Sequence, residues 1–164
     1  MRISVSVARD SDASAIVSLR AAVAESLTRQ FGRGHWSSRA TEAGVSRAIA
    51  TSRVLVAKDG TDVVGLLRLT TKKPWAIDPD YFKPVRRPLY LIDMAVEPSR
   101  QRKGVGRRLI EEAKQVALAW PADAIWLDAY TEHTAVEFYE KCGFSEVGRV
   151  TYRGVQLVYF EMLL

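Results

Sequence analysis

Residues 89–96, Leu-Tyr-Leu-Ile-Asp-Met-Ala-Val, run almost without interruption through apolar side chains. A strand with one wet face alternates polar and apolar residues; a near-continuous apolar run predicts burial on both faces and a place in the middle of a sheet. Gly104 to Trp120 follows as an amphipathic helix, with Val105, Leu109, Ala113, Val116 and Trp120 opposite Arg107, Arg108, Glu111, Glu112 and Lys114, and with Pro121 closing it. Ala124 to Ala129 is a second buried strand. Strand, helix and strand in this order predict an α/β fold in which helices cover the sheet.

The flanking segments fill in the layers. Ile3, Val5 and Val7 alternate with Ser4 and Ser6, as in a half-buried strand. Asp10 and Ser11 offer N-caps for a helix with Ile16, Leu19, Ala22, Val23 and Leu27 on one side. A polar connection from Thr28 to Ser38 leads to a second helix near Arg39 to Thr51. Val54 to Lys58 and Val63 to Leu69 bracket Asp59-Gly60, a hairpin signal, and Gly65 within the second strand marks a bulge or a close backbone approach. Residues 72–88 form a long loop with four prolines, Trp75, Tyr81 and Phe82, either a surface loop pinned by its aromatics or a substrate-facing wall. A short helix runs through Cys142 to Gly143, and strands Ser145 to Tyr152 and Val155 to Leu164 meet at Arg153-Gly154. No repeat or linker interrupts the 164 residues, so the reading is one domain over 1–164, long enough to bury about two-thirds of its unfolded surface.

Composition narrows the class. With 48% apolar and 26% charged residues the chain is not of the disordered type. The single cysteine, Cys142, forms no intrachain disulfide; with no apolar leader at the N-terminus, the simplest expected address is the cytoplasm. No segment reaches the roughly 18 apolar residues of a membrane span. The net charge of +5 and pI near 9.5 fit a nucleic-acid surface or a site for a small polyanion. Clustering of the cations about the 89–96 strand favours the second and leaves nucleic acid open as a partner.

Five cations, Arg100, Arg102, Lys103, Arg107 and Arg108, crowd the junction between that strand and the following helix. A helix N-terminus carries partial positive charge and unpaired N–H groups, so arginines there are unfavourable until an anion compensates them. Gln101-Arg102-Lys103-Gly104-Val105-Gly106 has the form Q/R-x-x-G-x-G/A, whose glycines let backbone amides turn toward a phosphate. A P-loop is excluded because no Gly-Lys-Ser/Thr is present, and a dinucleotide fingerprint because Leu109 stands where a third glycine is needed.

About 30 residues on stands Ala135-Val136-Glu137-Phe138-Tyr139-Glu140-Lys141-Cys142-Gly143-Phe144, of the form A-x-x-F-Y-x-K-x-G-F. The two motifs, with Met94-Ala95-Val96-Glu97-Pro98 ending the strand, resemble the GCN5-related N-acetyltransferase (GNAT) family, well over residues 53–164 and in element order only before that. The resemblance implies a mixed, twisted sheet of about seven strands, flanked by helices, in which the parallel strands 89–96 and 124–129 splay apart around acetyl-CoA. It implies that Met94, Ala95 and Val96 pair with the pantetheine arm, and that Gln101, Arg102, Lys103, Gly104, Val105, Gly106 and Arg107 hold the pyrophosphate. No metal is implied.

The implied reaction is direct acetyl transfer to a primary amine, which attacks only when neutral and therefore needs a base. Asp128 matches a position where some family members carry a glutamate base. Asp93 is the alternative, unless it pairs with an arginine. Tyr139 falls at the usual proton donor to the departing thiolate; phenol is a weaker acid than thiol, so a stabilising hydrogen bond is the better description. Relatives often have asparagine seven residues before this tyrosine, where Glu132 stands here beside His133. Two other readings stay open: a noncatalytic acyl-CoA sensor on the same fold, and an acetyltransferase acting on charged tRNA. The acceptor is a small-molecule or peptide amine, and the final strands offer a surface for a homodimer.

Overall fold

The computed structural model describes residues 1–131 and 135–164. It contains β1 (Ile3–Val7), α1 (Ala13–Phe31), α2 (Glu42–Thr51), β2 (Arg53–Asp59), β3 (Asp62–Thr70), β4 (Pro88–Val96), α3 (Val105–Ala119), β5 (Ala124–Tyr130), α4 (Ala135–Lys141), β6 (Ser145–Tyr152) and β7 (Val155–Leu163). The strands form one sheet in the order β1-β2-β3-β4-β5-β7-β6, with β4 and β5 parallel. This is the expected mixed α/β architecture with the expected number of strands. Residues 1–68 with 93–112 make one compact unit, and residues 69–92 with 113–164 a second.

In the first unit, β1 pairs antiparallel with β2 from Ile3↔Asp59 to Val7↔Leu55. Ile16 and Leu19 of α1 and Val45 of α2 share a core with Val54, Val56 and Leu66. The entry to α1 differs from the expected Asp10 or Ser11 cap: a 3-10 turn spans Asp10–Asp12 and the helix starts at Ala13. The Asp12 carboxylate accepts from the Arg9 amide at 2.8 Å and pairs with Lys58 Nζ at 2.8 Å, tying the start of α1 to β2. At its other end α1 runs past Thr28 to Phe31, where the Gly32 amide donates to the Thr28 carbonyl. Val7, expected on the buried side of β1, is half exposed, as a residue of an edge strand can be.

Gly65 proves to be a close approach. A Cβ built on it would lie 3.0 Å from both Leu109 Cδ1 and Val105 Cγ1, so the first turns of α3 press directly onto β3. The apolar stripe of α3 is also rotated from the expectation: Val105, Leu109, Ile110, Ala113 and Ala117 are buried, while Trp120 lies past the helix end and is 37% exposed.

In the second unit, β5 pairs antiparallel with β7 from Ala124↔Leu163 to Tyr130↔Leu157, and β7 with β6 across the Arg153-Gly154 turn. The loop preceding β4 is held down by two of its aromatics, Phe82 and Tyr81. Ile77 and Phe82 are buried, and Phe82 stacks on Trp126 with ring centroids 4.4 Å apart. The Tyr159 hydroxyl donates to the Ala76 carbonyl and accepts from the Asp78 amide. Tyr81 lies edge-on to Tyr159 and covers Gly148 so closely that a Cβ there would collide with its ring. Trp75 projects outward, 85% exposed.

Candidate active site

The parallel register of β4 and β5 covers only Pro88↔Ala124, Leu89↔Ile125 and Tyr90↔Trp126, although β4 runs on to Val96 and β5 to Tyr130. Beyond Tyr90 the strand changes character. Leu89, Tyr90 and Leu91 are buried, whereas Ile92 to Val96 are partly exposed, and Asp93 has φ +56°, an uncommon conformation for a side-chain-bearing residue. The exit of β4 is fixed within the first unit, where the Glu97 amide donates to the Val64 carbonyl at 2.8 Å and Gln101 Nε2 donates to the Val96 carbonyl at 3.1 Å. Gln101 therefore holds the strand end as well as opening the glycine motif.

Residues 101–104 form an exposed turn that delivers the chain into α3. Arg102 (φ +62°) and Gly104 (φ +86°) are both left-handed, a conformation that favours glycine and that clusters at ligand sites when other residues adopt it. The Gly104 carbonyl accepts the first helical bond, from the Arg108 amide, so the next amides stand at an open helix N-terminus. Of the five clustered cations, Arg100 is otherwise engaged, in an ion pair with Asp59. Arg102, Lys103, Arg107 and Arg108 are exposed and form no ion pair among the described residues. The conflict between these charges and the helix dipole persists in the folded chain.

The second unit brings Asp128 and Tyr139 together. Asp128 lies on β5 directly opposite Tyr159 of β7, and burial raises its carboxyl above the usual range. Tyr139 on α4 is buried against Phe138, Phe144 and Phe160, with ring centroids 5.2, 5.6 and 5.8 Å away. Burial, then the Asp128 charge, then Cys142 push its phenol far up, so it stays protonated. Tyr130 is raised likewise, by burial first and the same carboxylate second. Cys142 is half-buried and not in a disulfide. Glu132 and His133 lie outside the described residues.

Asp93, the alternative base, is ion-paired. Arg20 Nη2 lies 3.6 Å from Oδ1 and Arg68 Nη1 3.8 Å from Oδ2. Neither arginine stood out in the sequence, although Arg20 one turn after Ile16 interrupts an apolar helix face and Arg68 interrupts the apolar run of β3.

These features agree with a sequence comparison in which the acetyltransferase (GNAT) family profile matches residues 20–144. The chain belongs to the GNAT acetyltransferase family. Membership makes it an acyl-CoA-dependent N-acetyltransferase. No curated protein matches it by sequence. Solved GNAT structures share its fold along the whole length. An N-acetyltransferase from Staphylococcus aureus Mu50 is 16% identical, with 99% of each chain covered and a TM-score of 0.77. The PaiA N-acetyltransferase from Thermoplasma acidophilum, solved with coenzyme A, is 14% identical, with 100% of both chains covered and a TM-score of 0.76. A ribosomal-protein-alanine N-acetyltransferase from Brucella melitensis is 17% identical, with 98% of this chain and 99% of that one covered and a TM-score of 0.78.

Proposed function

We propose that the chain transfers an acetyl group directly from acetyl-CoA to a primary amine, with Asp128 as base and Tyr139 as the hydrogen-bond donor to the leaving sulfur. The observation that carries the reading is the Asp128–Tyr139 pair, a carboxyl raised by burial and a phenol that burial first, and the Asp128 charge second, keep protonated. Bound acetyl-CoA supplies an activated acyl thioester.

An alkyl amine with a pKa of about 10.4 is almost wholly protonated at neutral pH, and proton removal is faster when the base is tuned toward the working pH. Burial moves Asp128 in that direction. Asp128 takes the ammonium proton, directly or through a water, and the freed lone pair then forms the C–N bond; the second N–H proton is lost to water as the C–S bond breaks. Tyr139 keeps its proton on Oη and directs it at the sulfur as the C–S bond breaks; full transfer from so weak an acid is uphill, so the stabilisation is that of a hydrogen bond. The Ala95 amide is the proposed donor to the thioester oxygen. Met94 and Val96 contribute backbone groups to the pantetheine arm, the Arg102 to Arg107 amides hold the pyrophosphate, and the neighbouring cations offset its charge.

Thiol release from acetyl-CoA across an amine panel tests these roles. Asp128→Asn and Tyr139→Phe should each lower kcat about 100-fold, the scale of general acid–base assistance, with acetyl-CoA affinity retained. Unchanged turnover in the double variant would refute both assignments.

A further inference from the structure

A cavity of about 300 Å³ opens within the first unit, between α1, α2 and the strands β2, β3 and β4. Its floor is apolar, formed by Ile16, Val45, Ala48, Val54 and Leu66. Its polar wall is unusual: Arg20, Arg39 and Arg68 line it against a single carboxylate, that of Asp93, leaving two positive charges in excess. Both ion pairs to Asp93 are longer than a hydrogen bond, so guanidinium donors remain available. Arg39 is exposed and forms no ion pair among the described residues.

Arg68 is held ready rather than loosely placed. Its Nε donates to Ser52 Oγ at 2.6 Å, and that hydroxyl donates to the Ala48 carbonyl at 2.6 Å, at the C-terminal end of α2. Arg68 lines the cavity together with Asp93. Asp93 keeps its left-handed backbone here, two residues before Ala95 on the same strand. A planar guanidinium fixed at its rear edge suits bidentate recognition of a carboxylate. A volume near 300 Å³ lies at the small end of ligand pockets and suits a compound of amino-acid size.

From the charge and shape of this cavity we infer that the acceptor is a small amine that also bears a carboxylate and an apolar side chain, of the α-amino-acid type, and that Arg68 with Arg20 and Arg39 binds the carboxylate. The inference rests on the acetyl-transfer reading and narrows it, since a polyamine or aminoglycoside would bring like charge to the same wall. An apolar side chain fits the floor, and a carboxylate matches the two excess cations.

The test compares L-leucine, L-methionine and L-phenylalanine with their decarboxylated amines and with spermidine, reading thiol release from acetyl-CoA. At least one amino acid should show kcat/KM about tenfold or more above its decarboxylated partner, because a site built to hydrogen-bond a group rejects an analogue that lacks it. Arg68→Gln should raise KM for that amino acid with little change in kcat, bring the ratio toward one and leave the acetyl-CoA affinity unaltered. Ser52→Ala should shift the ratio in the same direction by a smaller amount. Equal or better turnover of the decarboxylated amines or of spermidine would overturn the inference. Calorimetry separates the two readings: if acetyl-CoA binds and none of the amino acids does in the presence of CoA, the acceptor class is wrong, whereas failure of acetyl-CoA to bind overturns the transferase reading itself.

Discussion

Asp128 carries opposite demands. Burial raises its carboxyl in the folded chain above its unfolded value, so it stabilises the fold only while protonated. That contribution is complete below the unfolded pKa and is lost as pH rises through the folded one. Asp128→Asn should therefore increase Tm at neutral pH while lowering kcat, and the gain should shrink in acid; a lower Tm at neutral pH would contradict it. The same shift places the acid limb of the kcat profile above the ordinary carboxylate range, and the asparagine variant should lose that limb. At Gly104 the cost of substitution is conformational, since nothing lies within 4 Å of an added Cβ while φ is +86°. Gly104→Ala should cost about 1 kcal/mol of stability and weaken acetyl-CoA binding by at least as large a factor, measurable by calorimetry.

At the scale of elements, β3 and α3 share one critical contact. Gly65→Val would push against Leu109 and Val105 and move the first turn of α3, where the proposed phosphate amides are. An overpacked contact of this kind costs about 1–3 kcal/mol, so both the denaturation midpoint and acetyl-CoA affinity should fall. Gly65 illustrates what the sequence made legible: a glycine within a strand announces an approach, though not which side chains approach. Strands and helices were readable from their periods, and the motif pair led to the fold and to the turn proposed to hold the phosphates. Less legible was anything set by distant partners. Arg68 and Asp93 are 25 positions apart and Arg20 stands further back still, so the choice between a base and an ion pair at Asp93 had no local signal. The rotation of α3 was hidden for a similar reason, because alanines at 113 and 117 become core only once a particular face is pressed on the sheet.

For the molecule as a whole, acid resistance and ionic strength report different parts. In Asp12, burial acts to raise the carboxyl, but the bonds from Lys58 and the Arg9 amide outweigh it and the net shift is downward. A lowered carboxyl stabilises above its unfolded pKa, and the contribution vanishes as pH falls through the folded value. Asp12→Asn should accordingly lower Tm at neutral pH and converge with the parent in acid, the opposite of Asp128→Asn. Acetyl-CoA affinity should decline with added salt, since Arg102, Lys103, Arg107 and Arg108 are exposed and screened. Single alanine replacements among them should each cost about 0.3–1 kcal/mol of binding.

The loop before β4 is fastened by Ile77, Phe82 and the two bonds of Tyr159, all of which face inward, whereas Trp75 contributes nothing to that fastening. Anchorage and outward surface are thus encoded by different residues. A lineage can rewrite the chemistry displayed at position 75 without loosening the loop, which makes this stretch a place where new surface properties arise at little risk to the fold.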